Sequence, residues 1–130
     1  TELDNIDSEE GIEKFALAIE DRFGPRPRVV EELFEGLRLR WIARSLGFDR
    51  VTLKTTVLRC YFHKNAQSAY YESAIFDRLI KLLGSKGRVL DIQLKQSATR
   101  LLMIKEKIKS MKSAREFLLS LQQMTEQETV

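Results

Sequence analysis

The sequence predicts an α+β fold: two N-terminal helices, a small and mostly antiparallel four-stranded sheet with a helix between its strand pairs, and a C-terminal helix. Two patterns predict it. In residues 8–46 apolar side chains recur every three or four positions, as on amphipathic helices, and this pattern returns twice later. Between these segments, four short stretches alternate apolar and polar residues and are rich in β-branched and aromatic types. The length of 130 residues, 43% of them hydrophobic, suffices for one domain with a real core.

The first helix is predicted over Ser8–Phe23. Asp7 is a suitable N-cap, and Glu10, three residues later, completes a capping box. One apolar stripe follows at helical spacing: Ile12, Phe15, Ala16, Ile19 and Phe23. The acidic residues that lie off this stripe give the helix an acidic outer face.

A rigid corner and a second helix come next. Gly24 can adopt the left-handed conformation that ends a helix, and Pro27 suits the first turn of a helix predicted over Pro27–Leu46. That helix has two apolar faces: Val30, Leu33, Phe34, Leu37 and Trp41 on one side, and Leu39, Ile42 and Leu46 on the other. A helix that is apolar on two sides is buried on two sides. We expect the first helix to cover one face and the sheet to cover the other.

Four strands are predicted in two pairs: Val51–Lys54 with Val57–Phe62, and Arg88–Lys95 with Thr99–Lys107. Thr55 and Thr56 form the turn of the first pair. In its second strand, Leu58, Cys60 and Phe62 share one face, because side chains alternate along a strand.

Two further helices are predicted. The third runs over Ser68–Leu83 and is expected to end at Gly84, with a core side made of Ile75, Phe76, Leu79, Leu82 and Leu83. Residues 99–112 fit either a strand or the start of a long helix. The capping box that begins at Ser113 favours a strand up to Lys107 and a terminal helix over Ser113–Gln123. Residues 1–6 and 125–130 are expected to be disordered.

The charge is distributed unevenly along the chain. The net charge is +3, but residues 1–35 carry eleven acids and four bases (−7), and residues 36–130 carry eight acids and eighteen bases (+10). Residues 78–115 alone hold eleven Lys and Arg against two acids. Such a patch attracts polyanions, so an accessory nucleic-acid-binding domain is one hypothesis for the function.

The sequence carries no constellation of catalytic residues. His63 is the only histidine, and Cys60, the only cysteine, stands in an apolar strand that favours an inert core thiol. No glycine-rich phosphate loop is present. The sequence therefore predicts a domain that is not an enzyme and that holds no metal and no cofactor.

A more specific pattern covers residues 15–50. Asp21-Arg22-Phe23-Gly24 is followed by Pro27, an apolar helix, Leu39-Arg40 and Leu46-Gly47. This succession resembles the C-terminal domain of bacterial transcription-repair coupling factors. Their usual motif is Glu-Leu-x-Asp-Arg-Phe-Gly-x-x-Pro, then a helix rich in Leu and Arg, then Leu-Gly before the first strand. Ala18 stands where the motif has Glu, and beyond residue 50 the resemblance rests on the order of elements.

The resemblance implies a function. The parent protein would be an ATP-dependent DNA translocase that removes stalled RNA polymerase from damaged DNA and recruits UvrA for nucleotide excision repair. Its motor, with ATP and Mg, lies in other domains. The C-terminal domain is implied to be non-catalytic. It docks on the N-terminal UvrB-like module and masks the UvrA-binding surface until stalled polymerase is engaged, which makes it autoinhibitory.

Six residues are the predicted contacts of this interface. Asp21, which matches the acid of the motif, is the first candidate. The others flank it or form a basic ridge on the second helix: Glu20, Arg22, Arg38, Arg40 and Arg44.

The remaining expectations concern the setting of the domain. Residues 1–130 are expected to form one regulatory domain of a larger chain, since the sequence begins at Thr1. The lone cysteine fits a reducing cytoplasm, and no apolar run has the length of a membrane span. We expect a monomer without membrane contact.

Overall fold

The computed structural model describes residues 5–25 and 27–127, and these form four α-helices and a four-stranded sheet. The elements are α1 (Glu9–Phe23), α2 (Arg28–Leu46), β1 (Arg50–Lys54), β2 (Val57–Tyr61), a 3-10 helix (Ala69–Glu72), α3 (Ala74–Lys86), β3 (Ile92–Gln96), β4 (Leu101–Lys105) and α4 (Met111–Gln127). The predicted α+β class and element order are confirmed.

The cap of α1 differs from the prediction. Ser8, not Asp7, is the N-cap, and its hydroxyl oxygen accepts a hydrogen bond of 3.1 Å from the backbone N–H of Gly11. The predicted Asp7–Glu10 capping box is therefore wrong by one residue. Pro27 is the N-cap of α2 rather than its first residue.

The first two helices share a small core of their own. It consists of Ile12 and Ala16 from α1 with Phe34 and Leu37 from α2, and Trp41 packs at its edge. The predicted burial of two residues between these helices is wrong, because Phe23 is 75% exposed and Leu33 is 49% exposed. Both lie close to the corner between the helices, where the described residues leave one side of each helix uncovered.

The opposite face of α2 enters the main core. Leu39, Ala43 and Leu46 pack there among residues of the sheet, α3 and α4. We expected the sheet to cover this face, but α2 packs chiefly against α4 and meets the sheet mainly at β1. The two-faced helix is thus confirmed, with α4 as its larger partner.

The sheet is antiparallel throughout, in the order β1-β2-β4-β3. Leu58, Cys60 and Phe62 are fully buried on its helix-covered face, as predicted. The β1–β2 hairpin turns at Thr55 and Thr56, which have φ angles of 52° and 60°. These positive angles fit a two-residue turn that matches the twist of the strands.

The third helical segment is split in two. Ser68 caps a 3-10 helix, and a new N-cap at Ser73 starts α3, so one continuous helix from Ser68 is wrong. Gly84 lies inside α3, which continues to Lys86 and ends at Gly87. Leu79, Leu82 and Leu83 are buried as predicted, whereas Ile75 is 43% exposed.

The C-terminal segment resolves the ambiguity at residues 99–112. β3 begins at Ile92, not at Arg88, because residues 87–91 form a turn, and β4 spans only Leu101–Lys105. α4 begins before the predicted capping box, and the Ser110 hydroxyl accepts the Ser113 N–H at 3.0 Å. The helix continues to Gln127 with Thr125 buried, so 125–127 are helical rather than disordered. At the other end, Ile6 is half-buried against the core of the first two helices, so the expected disorder is wrong there, and residues 1–4 and 128–130 lie outside the described residues.

Candidate interaction surface

The last turn of α1, just before the corner, holds three of the six predicted contact residues, Glu20, Asp21 and Arg22. Gly24 has φ 84° and ψ −160°, a conformation that is almost restricted to glycine, and its N–H donates to the Glu20 carbonyl at 2.9 Å. The Pro27 carbonyl then accepts the N–H of Val30 at 3.1 Å and starts α2. The chain reverses within four residues, which leaves the last turn of α1 at the edge of the fold.

The last turn of α1 exposes an acid, a base and an aromatic ring. Asp21 and Arg22 are exposed, and Glu20 is half-buried. Asp21 forms no ion pair with any described residue. The guanidinium carbon of Arg22 lies 5.7 Å from the centroid of the Phe23 ring. Arg22 therefore covers an exposed ring instead of neutralising Asp21.

A shallow cleft of about 300 Å³ adjoins this turn. It is lined by Phe15, Ala18, Ile19, Arg22 and Phe23. Ala18 stands where the motif has a carboxylate, so this part of the surface is apolar. The end of α1 thus presents an apolar cleft lined in part by Arg22, and on another side of the same turn the carboxylate of Asp21.

Arg38 belongs to a network that ties three helices together. Its guanidinium donates two hydrogen bonds to Glu9 in α1, at 2.6 and 3.1 Å, and one to Glu35 at 3.4 Å. The hydrogen bond to Glu9 raises the pKa of Arg38 above its ordinary value. The other carboxylate oxygen of Glu35 accepts from Arg115 in α4. Arg38 has partners within the domain, so a partner protein is not needed to explain it.

Arg40 and Arg44 are exposed and belong to a different cleft from the residues at the end of α1. They line a cleft of about 270 Å³ together with Arg50, and neither forms an ion pair with the described residues. Asp49, the acid in this cleft, is bonded to Arg100 and to the N–H of Lys64. The structure therefore separates the six predicted contacts into a corner group, a network residue and a basic cleft.

Cys60 and His63, the side chains with the most catalytic potential, lie in different environments. Cys60 is completely buried, and burial raises the pKa of its thiol. His63 is half-buried, its ring stacks on Tyr70 at 6.1 Å, and its Nδ1 has no hydrogen-bond partner among the described residues. Within residues 5–25 and 27–127, no group of three His, Cys, Asp or Glu side chains is arranged to hold a metal ion. None of the helices in those ranges has the length and hydropathy of a membrane span.

Three of the eleven basic residues of 78–115 have partners within the domain. Arg100 pairs with Asp49, Arg115 pairs with Glu35, and the ammonium of Lys105 donates to the Leu90 carbonyl at 2.9 Å. The local charge count in the sequence therefore overstates the basic surface that this segment offers.

Sequence reasoning missed two features of the surface. The Glu9–Arg38 and Glu35–Arg115 pairs join residues 29 and 80 positions apart, a separation at which the sequence gives no signal. Glu35 and Arg38 stand three positions apart on one helix, and this spacing was a usable signal for their contact.

Fold and surface together define a small α+β domain in which two helices build an acidic corner beside a four-stranded antiparallel sheet. The sequence model of the TRCF domain family matches residues 1–73. The chain therefore belongs to this family, the C-terminal domains of transcription-repair coupling factors. A crystal structure of the C-terminal domain of transcription-repair coupling factor has the same fold. It aligns with a TM-score of 0.64 and 18% sequence identity, over 98% of this chain and 79% of the other. No curated protein matches the sequence.

Proposed function

We propose that residues 1–130 form a non-catalytic regulatory domain of a coupling factor. In this proposal the domain docks on the UvrB-like module of the same protein and masks the surface that UvrA binds. The observation that carries the proposal is Asp21: an exposed carboxylate at the fixed end of α1 that neither packs in a core nor pairs with a described residue.

The position of Asp21 argues for a partner. A carboxylate in the last turn of a helix is slightly unfavourable for that helix, because the C-terminal end of the helix dipole is negative. Asp21 therefore contributes neither to the core nor to its own helix. A basic side chain on the docking partner would explain it, and the apolar cleft on the same helix end offers contact area that the described chain leaves open.

Charge contacts of this kind suit a reversible clamp. Exposed ion pairs contribute orientation and association rate, cost little to separate and weaken with salt. Engagement of stalled RNA polymerase by the parent protein would open the clamp and free the module for UvrA. ATP, Mg and DNA are handled by the motor in this proposal, and the domain itself binds no cofactor, acts as a monomer and works in the cytoplasm.

The direct test is a titration of the separate UvrB-like module with the 130-residue chain. Asp21→Ala is expected to weaken binding about tenfold at low salt, with a smaller difference at 0.5 M NaCl. Glu13→Ala is the matched control, because Glu13 is an exposed acid on the same helix that forms no ion pair with the described residues. If both variants weaken binding equally, the loss reflects the overall charge of the domain and not a contact of Asp21. If Asp21→Ala leaves binding unchanged, Asp21 does not belong to the interface.

A further inference from the structure

One face of the sheet is left uncovered by the helices. The main core, with residues of α2, α3 and α4, lies on the face that carries Leu58, Cys60 and Met103. Side chains alternate along strands, so the residues between these point the other way. We call this second side the outer face. No helix of residues 5–25 and 27–127 packs on it, since α1 contacts α2 and the other helices share the main core.

The outer face combines cations with a few apolar residues and carries no acid. The pairing register places Arg50 and Lys54 of β1, Arg59 of β2 and Lys95 of β3 on it, around the apolar side chains of Val57, Ile104 and the buried Leu102. None of its strand positions is Asp or Glu. None of the four cations forms an ion pair with a described carboxylate. Their charge is therefore available to a ligand.

A stack of planar groups stands among these cations. The guanidinium carbons of Arg50 and Arg100 lie 5.4 and 5.2 Å from the centroid of the Tyr61 ring. The Arg100 guanidinium is anchored from behind by Asp49. Tyr61 and its two arginines thus form a fixed planar cluster at one end of a positively charged surface.

Planarity and charge together indicate the ligand. Guanidinium groups bind phosphates in a bidentate manner, and aromatic and guanidinium planes stack on unpaired bases. A four-stranded sheet with helices on one face and bases stacked on the other is an established arrangement for binding single strands. The carboxylates of an acidic peptide would use the charge but cannot stack on the cluster.

We propose that the outer face binds single-stranded nucleic acid. The phosphates lie along Lys54, Arg59 and Lys95, and a base stacks at the cluster of Arg50, Tyr61 and Arg100. The surface is independent of Asp21, so this activity goes beyond the docking function and stands or falls separately from it.

The test is fluorescence anisotropy of a labelled 15-nucleotide oligothymidylate titrated with the 130-residue chain, over a salt series. Lys54→Gln with Lys95→Gln is expected to weaken binding about tenfold and to lower the salt slope by roughly 1.4, because two phosphate contacts are lost. The control is Lys81→Gln with Lys112→Gln, two exposed lysines in α3 and α4. This variant has the same net charge and should bind within about twofold of the parent. Equal weakening in the control would overturn the proposal.

Tyr61 tests the stacking. Tyr61→Leu should weaken oligothymidylate binding about tenfold, and Tyr61→Phe, which keeps the ring, should bind like the parent chain. Circular dichroism shows whether Tyr61→Leu is folded. If it is not, the lysine variants and Tyr61→Phe still test whether the outer face binds the oligonucleotide. Polyglutamate is the competitor that tests for an acidic protein. If it displaces the labelled oligothymidylate as well as unlabelled oligothymidylate of equal charge does, the outer face would be assigned to an acidic protein instead. A duplex that competes equally would exclude the preference for single strands, and no binding at 50 mM salt would overturn the proposal altogether.

Discussion

The ring of Tyr70 lies directly against Gly47. A Cβ at position 47 would come within 1.9 Å of the Cε1 atom of Tyr70, and Gly47 also has a φ of 96°. The Tyr70 hydroxyl donates a 2.6 Å hydrogen bond to the carbonyl of Leu46, the last residue of α2. The contact with Tyr70 explains the Leu-Gly pair at the end of this helix. The ring packs against Gly47, where a larger residue would not fit, and its hydroxyl satisfies the Leu46 carbonyl, which has no partner within the helix.

We predict that Gly47→Ala destabilises the domain more than Gly24→Ala does. Both glycines have positive φ, but the added methyl group clashes with Tyr70 only at position 47 and meets nothing within 4 Å at position 24. Backbone strain at Gly24 should cost about 1–2 kcal/mol, and strain plus displacement of the ring at Gly47 about 3 kcal/mol or more. Urea melts of the two variants measure the difference. Equal losses would mean that the ring of Tyr70 moves aside without cost.

The sequence predicted the fold well where one local rule applied. The hairpin at Thr55-Thr56 and the buried face of Leu58, Cys60 and Phe62 follow from strand alternation, and both are confirmed. It failed where two local signals competed. Gly84 looks like a helix terminator, yet α3 passes through it because Leu82 and Leu83 bury that turn.

The hairpin turn offers a gain in stability. Thr55 and Thr56 are β-branched residues held at positive φ, which is strained for them, whereas Asn-Gly adopts such a turn readily. Replacing Thr55-Thr56 by Asn-Gly should raise the free energy of unfolding by about 0.5–1 kcal/mol. Thr99→Gly is the control, because Thr99 lies in the other strand connection without positive φ and should lose stability. A loss in the Asn-Gly variant as well would show that the threonine side chains stabilise the turn.

Glu35 should contribute more to the stability of the domain than Glu9, the most exposed residue of the same network. Glu35 receives both Arg38 and Arg115 and is mostly shielded from solvent, whereas the side chain of Glu9 is 62% exposed. Glu35→Ala is expected to cost about 1–3 kcal/mol, and Glu9→Ala less than about 1 kcal/mol. A double-mutant cycle with Arg115→Ala should show a coupling of about 1 kcal/mol between α2 and α4. Additive single effects would mean that the Glu35–Arg115 pair contributes nothing to stability.

The candidate surface was predictable only in part. The sequence makes Asp21 the first candidate because it matches the acid of the family motif, and it is exposed in the structure. The exposure of Phe23 was not foreseen, because a helical stripe does not reveal where its covering partner ends. The sequence predicts Arg38 as part of a basic ridge with Arg40 and Arg44, whereas in the structure Arg38 binds Glu9 of another helix. Such contacts depend on how the two helices cross, which local patterns do not specify.

The last prediction connects Asp21 to the release of UvrA binding in the longer coupling factor, and it rests on the proposed function. Asp21→Ala should leave the urea melt of the domain unchanged or raise its stability by a few tenths of a kcal/mol, since the variant removes an acid from the end of a helix. In the longer protein the same change should loosen docking and raise the affinity for UvrA by at most about tenfold, as expected for one exposed charge contact, with less effect at high salt. Glu13→Ala should change neither quantity. A destabilised Asp21→Ala domain would show that the carboxylate holds the corner itself. An intact domain with unchanged UvrA affinity would exclude Asp21 from the mask and direct the search to the exposed ring of Phe23 and the cleft beside it.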